Sequence, residues 1–390
     1  MKPERTIYIK LLLTIGLIAA FGFFAASLAN MPFSLKNFGD PYHLARKDLL
    51  NLSVGMSVML FFNFFDYRKL AKISLITLAC IIVILFLVLM PMFSYSVIGK
   101  HRFFVILGFR FQPMEIAVLS VILYFAKLLS EREEDHLLKF TAVLPVLVVA
   151  LLLALEPSIF PALLLLFCSF VLLLYAKRFR WATVMAMISC LFAVVYISGN
   201  STRLERLSAW ANPQLYHETS GYQVIQSLSA ISHGGLWGID TSPVLRKNLL
   251  PAAYSEFVFS AIAARFGLAG VLIIILLFFY LVKNGITITE RSKEKFGAYL
   301  AAGITIIICV KSIVHFAVCL GLAPVTSIPL PLVSHGGSST ICTMAELGIL
   351  LNISKQTSYA STSRKTRYLI YMLGLIFALL FLDVIRIQLW

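Results

Sequence analysis

Charge is what this chain has least of. Asp, Glu, Lys and Arg make up only 13% of its 390 residues, about half the share in an ordinary soluble protein. With 60% hydrophobic residues and a mean hydropathy of +0.91, a soluble domain of this length is excluded. Acidic residues are the scarcer sign, 18 against 33 basic ones, which leaves a net charge of +15. The bases sit in short clusters at the ends of apolar runs, a pattern of membrane orientation that argues against a nucleic-acid partner. No two of the six cysteines are in C-x-x-C spacing, so Cys80, Cys168, Cys190, Cys309, Cys319 and Cys342 read as small buried hydrophobes, without a disulfide or metal role. Neither a phosphate-cradling glycine loop nor a zinc-ligand spacing occurs, which excludes the usual machinery of nucleotide hydrolysis and zinc chemistry.

What fills the chain is a succession of apolar runs, each of a length that can cross a hydrocarbon core of ~30 Å. They cover 7–29, 49–65, 73–92, 113–129, 141–156, 158–175, 181–198, 256–282, 298–322, 338–353 and 368–390. The expected fold is an all-α polytopic membrane protein with about ten transmembrane helices and an eleventh at the C-terminus. The first run has few small residues before a plausible cleavage point, so it is expected to be a retained span. With the N-terminus inside, the inner loops and span ends carry roughly twice the Lys and Arg of the outer ones. Three segments then lie on the outer face: 92–112, a long loop at about 199–255 between spans seven and eight, and 322–339. Long loops in compact proteins are usually functional, and Trp210, Tyr216, Tyr222 and Trp237 suit this one to the membrane surface. On the inner side, 131–136 and 357–367 read as solvated linkers.

Residues 322–339, LAPVTSIPLPLVSHGGSS, are the least helix-compatible piece of a helical chain. Pro324, Pro329 and Pro331 lack a backbone donor and disfavour helix before them, while Gly336 and Gly337 allow angles that other residues resist. Unpaired amides and carbonyls would each cost several kcal/mol in lipid, so this segment is expected to line a protein-walled, water-accessible cavity near a membrane face. Its pattern, Pro-Val-Thr-x-Ile-Pro-Leu-Pro-x-Val-Ser-x-Gly-Gly-Ser-Ser, resembles the signature of the SEDS family, the FtsW, RodA and SpoVE type of cell-wall proteins. Further matches extend the resemblance over roughly residues 10–355. GYQVIQSLSAISHGGLWG, from Gly221, resembles the family's Tyr-Gln-x-x-Gln-Ser block with its Gly-Gly turn. LLPAAYSEFVF places Glu256 at the carboxylate that the family uses as its proposed catalytic group. Arg102, Gln112, Pro113 and Glu115 match a basic turn followed by Gln-Pro-x-Glu, and GDPYHLARKDLL is closer to the FtsW and SpoVE branch than to RodA. The domain expected is a SEDS-type transmembrane unit over 1–355, with 356–390 forming a linker and an additional helix.

The chain departs from the family pattern at several polar positions. Val118 stands where the family has a lysine, Ser158 where it has Asp, Ala264-Arg265 for Glu-Glu, Lys311 and His315 for Gln and Asn, and Ser327 and His335 for Gly and Tyr. Ionisable side chains at membrane depth are costly and are functional candidates by default; here they are Glu115, Glu256, Arg265, Lys311, His315, Glu346, Asp383 and Arg386. A carboxylate at 115 with no lysine one helical turn away calls for another cation, and Lys311 or Arg102 is expected within ~6 Å of it. Asp383 and Arg386, three apart, are expected to pair.

The resemblance implies glycosyl transfer from lipid II, a disaccharide-pentapeptide on a polyprenyl diphosphate, at the outer face of the bacterial cytoplasmic membrane, in cell division or shape maintenance. The implied partners are a class B penicillin-binding protein and other division or elongation proteins. A sugar hydroxyl needs a base, and Glu256 is placed to serve. The departing diphosphate needs cations or oriented donors: Arg102, Arg206, Arg246 and Lys247 are the outer candidates, and a divalent ion is compatible although no ligand cluster demands one. Gln112, Glu115, Gln223, Gln226, Ser227, Lys311, Ser334, His335, Gly336, Gly337 and Ser338 complete the expected substrate-binding set. Two other classes remain open, a catalytically degenerate division scaffold and a flippase for the lipid-linked precursor.

Overall fold

The computed structural model describes residues 3–90, 95–97, 100–106, 109–131, 140–156, 160–199, 201–219, 221–238, 254–357 and 364–389. Eleven helices coincide with the eleven apolar runs: α1 (Pro3–Phe38), α2 (His43–Phe64), α3 (Arg68–Leu89), α4 (Pro113–Glu131), α5 (Phe140–Leu155), α6 (Phe160–Tyr175), α7 (Phe179–Ser198), α10 (Val258–Arg291), α11 (Lys295–Cys319), α12 (Gly337–Ser354) and α13 (Arg364–Leu389). Two more, α8 (Ser201–Ala211) and α9 (Tyr222–Gly234), lie in the long loop, with a short 3-10 turn at Pro213–Tyr216. Among the described residues, six of these thirteen helices are long and apolar enough to cross a membrane, and α5, α6 and α7 are shorter apolar helices. The molecule is a multi-pass helical membrane protein.

α1 and α10 outrun their apolar runs because a helix can continue into water until its hydrogen bonding is broken. α1 continues to Phe38 and stops at Gly39, whose φ of +69° gives the left-handed cap that glycine adopts at no steric cost. Asp40 then accepts the Tyr42 N–H at 3.0 Å and pairs with Arg46, which starts α2. The Tyr42 amide and the Arg46 guanidinium hold the Asp40 carboxyl below its ordinary range.

α12 carries Ser338, Ser339, Thr340, Thr343, Glu346, Asn352 and Ser354 within one span, and packing explains why. α12 is buried along nearly its whole length and lies against α2, where Gly348 approaches so closely that an added Cβ would sit 2.5 Å from the Met59 carbonyl oxygen. A helix surrounded by protein does not have to satisfy lipid. Among the cysteines, Cys168, Cys319 and Cys342 are buried as expected, Cys309 is half-buried, and Cys80 and Cys190 are exposed on the bundle surface.

The two ends of the bundle differ. At one, the α2–α3 turn, the α10–α11 turn and the end of α12 are clasped together: Arg68 pairs with Glu294 at 2.6 Å, Tyr67 donates to Glu294 at 3.3 Å, and Asn352 donates to the Asn63 carbonyl at 2.8 Å. Loops are richer at the other end. There, within the expected outer-face stretch 92–112, β1 (Tyr95–Val97), β2 (Lys100–Ile106) and β3 (Phe109–Phe111) form a three-stranded antiparallel sheet in the order β1-β2-β3. Val97 pairs with Lys100, and Ile106 with Phe109.

Candidate functional site

The proline-rich segment and the start of α10 meet at the loop-rich end. Between Leu330 and Ser334 the chain makes a tight turn: the Ser334 N–H donates to the Leu330 carbonyl at 3.0 Å, and the Leu330 N–H donates back to Ser334 Oγ at 2.9 Å. The turn carries Leu332 at φ +64°, a conformation that costs a branched residue about 1–3 kcal/mol and persists only where the surroundings enforce it. What this turn holds is the segment before α10. Ser334 Oγ–H donates to the Ser255 carbonyl at 2.7 Å, and the His335 N–H donates to the Tyr254 carbonyl at 2.8 Å. Glu256 follows directly, half-buried, with its own carbonyl facing Cys319 Sγ at 3.8 Å. Gly336 caps α12, Gly337 opens it, and Ser338 is buried in its first turn.

The turn that follows α9 is fastened to α10 through the backbone. After α9 the chain turns at Gly235 and Gly238 against Gly267, where α10 is broken by a φ of +60°. The Leu268 N–H donates to the Gly235 carbonyl at 2.9 Å, and a Cβ on Gly267 would lie 2.4 Å from the Gly238 nitrogen. Glycine is required at that contact because two main chains touch. On the same side, the Trp210 indole N–H donates to the Gly321 carbonyl at 2.9 Å, tying α8 to the end of α11.

Not every residue expected to bind substrate reaches this space. Ser227 is fully buried, 2.6 Å from Ser260 Oγ, and donates to the Cys319 carbonyl at 2.7 Å, so it joins α9 to α10 and α11. Glu115 and Lys311 pair at 2.5 Å in the core, away from the surface where a substrate could touch them. Lys311 is therefore the cation expected near Glu115; the Arg102 side chain lies outside the described ones, although its backbone is in β2. Glu346 is sealed in the core as well, and neither of its carboxylate oxygens has a hydrogen-bond partner among the described residues. His315 is likewise buried, with Nδ1 3.1 Å from the Ile328 carbonyl. Gln112 lines a small recess with Glu156 and Ser327. Gln223 and Gln226 are half-buried on α9, and Arg206 is exposed on α8. Arg246, Lys247 and Ser158 fall outside the described residues.

Sequence reasoning missed Asp48. It lies on α2 and accepts a hydrogen bond from His335 Nδ1 at 2.5 Å, although the two are 287 positions apart. Its one signal was an acidic residue at the end of the basic cluster Arg46-Lys47.

Comparison with known proteins agrees with this architecture. A family model described as cell cycle protein, covering FtsW, RodA and SpoVE, matches residues 8–359. The chain is 30% identical over 372 residues to a probable peptidoglycan glycosyltransferase FtsW of Trichlorobacter lovleyi, covering 93% of this chain and 98% of that one. It is 29% identical over 355 residues to stage V sporulation protein E of Bacillus subtilis, covering 90% and 95%. Among solved structures, one described as showing structural coordination of polymerization and crosslinking by a peptidoglycan synthase complex superposes with a TM-score of 0.73 at 26% identity, covering 88% of this chain and 96% of that one. Rod shape determining protein RodA of Thermus thermophilus shares the fold with a TM-score of 0.64 at 24% identity, over 90% and 97% of the two chains. The chain belongs to the FtsW/RodA/SpoVE family of cell cycle proteins.

Proposed function

We propose that this protein is a peptidoglycan glycosyltransferase that polymerises lipid II, with its loop-rich end on the outer face of the bacterial cytoplasmic membrane and its N-terminus in the cytoplasm. The observation that carries this reading is the grip of Ser334 and His335 on the two peptide carbonyls immediately before Glu256. That grip fixes a half-buried carboxylate at the head of α10. Glu256 takes the proton of an acceptor sugar hydroxyl as its oxygen bonds to the anomeric carbon of the donor. The bond from that carbon to the diphosphate oxygen breaks, and polyprenyl diphosphate departs with the electron pair. Arg206 on α8, with Arg102, Arg246 and Lys247, supplies positive charge for that leaving group.

Partnership with a class B penicillin-binding protein fits the likeness to a peptidoglycan synthase complex that coordinates polymerization and crosslinking, and membership of the family fits a role in cell division or shape maintenance. The departures at Val118 and Ser158 favour the scaffold reading. The Lys311–Glu115 pair weakens it, because the cation missing from α4 is supplied by α11.

The test is gel-resolved polymerisation of purified lipid II, with and without the partner and with and without a divalent ion. Glu256→Gln should remove activity by about 10²–10⁴-fold, the usual contribution of a general base, while the protein stays folded and partner-bound. Retained activity in that variant would sink the assignment of Glu256. A wild-type protein that scrambles lipid II in proteoliposomes without polymerising it would favour the flippase.

A further inference from the structure

Asp48 has no part in the chemistry above, yet it is joined to the site through two short steps. Its Oδ1 accepts the His335 Nδ1–H at 2.5 Å, and the side chains remain 20% and 21% exposed. The imidazole in turn meets the Tyr254 ring edge-on, with centroids 5.8 Å apart at 75°. Tyr254 packs on Phe33 of α1 at 4.8 Å. From the same dipeptide, the His335 N–H and the Ser334 hydroxyl hold the Tyr254 and Ser255 carbonyls. Ring and main chain of His335 therefore both bear on the residues that lead into Glu256, and a carboxylate on a different helix fixes the ring.

We infer that Asp48 is a positioning residue for Glu256, acting through His335. The inference rests on the glycosyltransferase reading of the site. A hydrogen bond to a charged acceptor is stronger than one between neutral groups, and a carboxylate can only accept. Asp48 thus selects the tautomer with the proton on Nδ1 and holds the ring against Tyr254. Without it, the ring can rotate into water, the edge contact with Tyr254 loosens, and the 254–256 segment gains freedom. A base displaced by about 1 Å can lose about 10²-fold in rate, with no requirement that substrate binding change. A purely structural link between α2 and the proline-rich segment would instead lower stability and leave the kcat of the folded fraction unchanged.

Two measurements decide between these roles. In lipid II polymerisation, Asp48→Ala should lower kcat by about tenfold or more with KM within about twofold, whereas Asp48→Asn, whose carbonyl can still accept from Nδ1, should stay within about threefold of wild type. In hydrogen–deuterium exchange of the full-length protein, the Tyr254 to Phe257 amides should exchange faster in Asp48→Ala and at the wild-type rate in Asp48→Asn. Unchanged kcat, or unchanged exchange, in Asp48→Ala overturns the inference. If that variant does not fold, His335→Gln is read in the same exchange experiment: faster exchange supports the role and unchanged exchange overturns it. A wild-type protein that makes no polymer counts against the glycosyltransferase reading, and the exchange arm still decides whether Asp48 orders the segment.

Discussion

Lys311 Nζ lies 2.5 Å from Glu115 Oε2, joining α11 to α4 by an ion pair whose side chains are 1% and 0% exposed. Removing one partner of such a pair leaves an uncompensated buried charge and costs about 3–5 kcal/mol. Lys311→Met should therefore lower the unfolding temperature of the purified protein markedly, and Glu115→Gln added to it should recover part of the loss. Position 118 is buried one helical turn from Glu115. A lysine there can reach the same carboxylate, so Val118→Lys should also rescue Lys311→Met in part. Thermal unfolding of the four proteins checks this; a Lys311→Met protein as stable as wild type would show that the pair contributes nothing.

The Gly267 contact makes a different demand. At φ +60° and ψ −158° the backbone is open essentially to glycine alone and costs an alanine about 1–3 kcal/mol, and here its Cβ would also fall 2.4 Å from the Gly238 nitrogen and 2.6 Å from the Gly235 carbonyl oxygen. Backbone cannot swing aside as a long side chain can. Gly267→Ala should destabilise by more than the backbone term alone and should reduce polymerisation, because the α9 turn is pushed off α10. Gly16→Ala is the control, since nothing lies within 4 Å of its added Cβ. Equal stability of the two variants in a thermal melt would contradict the close approach.

These contacts show unevenly in the sequence. The eleven helices that follow the apolar runs were legible because an apolar run bounded by bases can do little else in a membrane protein, but the end of α1 was not, since that helix runs on to Phe38 beyond a run that closes at 29. Glu256 and the proline-rich segment were legible because their residue types are costly where they stand. The sheet was not read, although Val97-Ile98-Gly99-Lys100 and Ile106-Leu107-Gly108-Phe109 place glycine between strand-forming residues, which is a hairpin signal. Asp48 and the burial of Ser227 were beyond reach. Both depend on which helices become neighbours, and no local pattern states that Asp48 will face His335 or that Ser227 will face Cys319.

At the opposite end of the bundle, Tyr67 gives a pH dependence. Burial, followed by the neighbouring Glu294 carboxylate, pushes its hydroxyl up from 10.0 to about 12. The folded state therefore keeps a proton that the unfolded chain gives up near its ordinary value. Stability from this group is complete below about pH 10 and is lost as pH rises towards about 12. Tyr67→Phe removes the titrating group, so its unfolding temperature should fall less steeply than that of wild type across that window. Melts at stepped alkaline pH give the comparison, and parallel curves would exclude the effect.

The last helix lies along the bundle from end to end. Thr366, near its start, lines an apolar cavity of about 760 Å³ together with Thr289 and Glu290 from the end of α10. Gln388, near its close, donates to the Ile231 carbonyl of α9 at 3.3 Å. Between them Phe377 meets Phe279 and Phe316 at 6.1 Å and 6.3 Å, and Asp383 pairs with Arg386 at 3.3 Å. A helix lying flat on the inner surface would show an apolar stripe and a polar one, whereas Tyr368, Leu369, Tyr371, Met372, Leu375 and Leu379 are apolar or aromatic and exposed. Such a surface suits lipid. With the N-terminus in the cytoplasm, α13 should be an eleventh span that delivers the C-terminus to the outer face. A protease-sensitive tag after Trp390 should then be cleaved from outside intact spheroplasts, and one before Met1 only after lysis. A C-terminal tag reached from the cytoplasmic side alone would rule out the span.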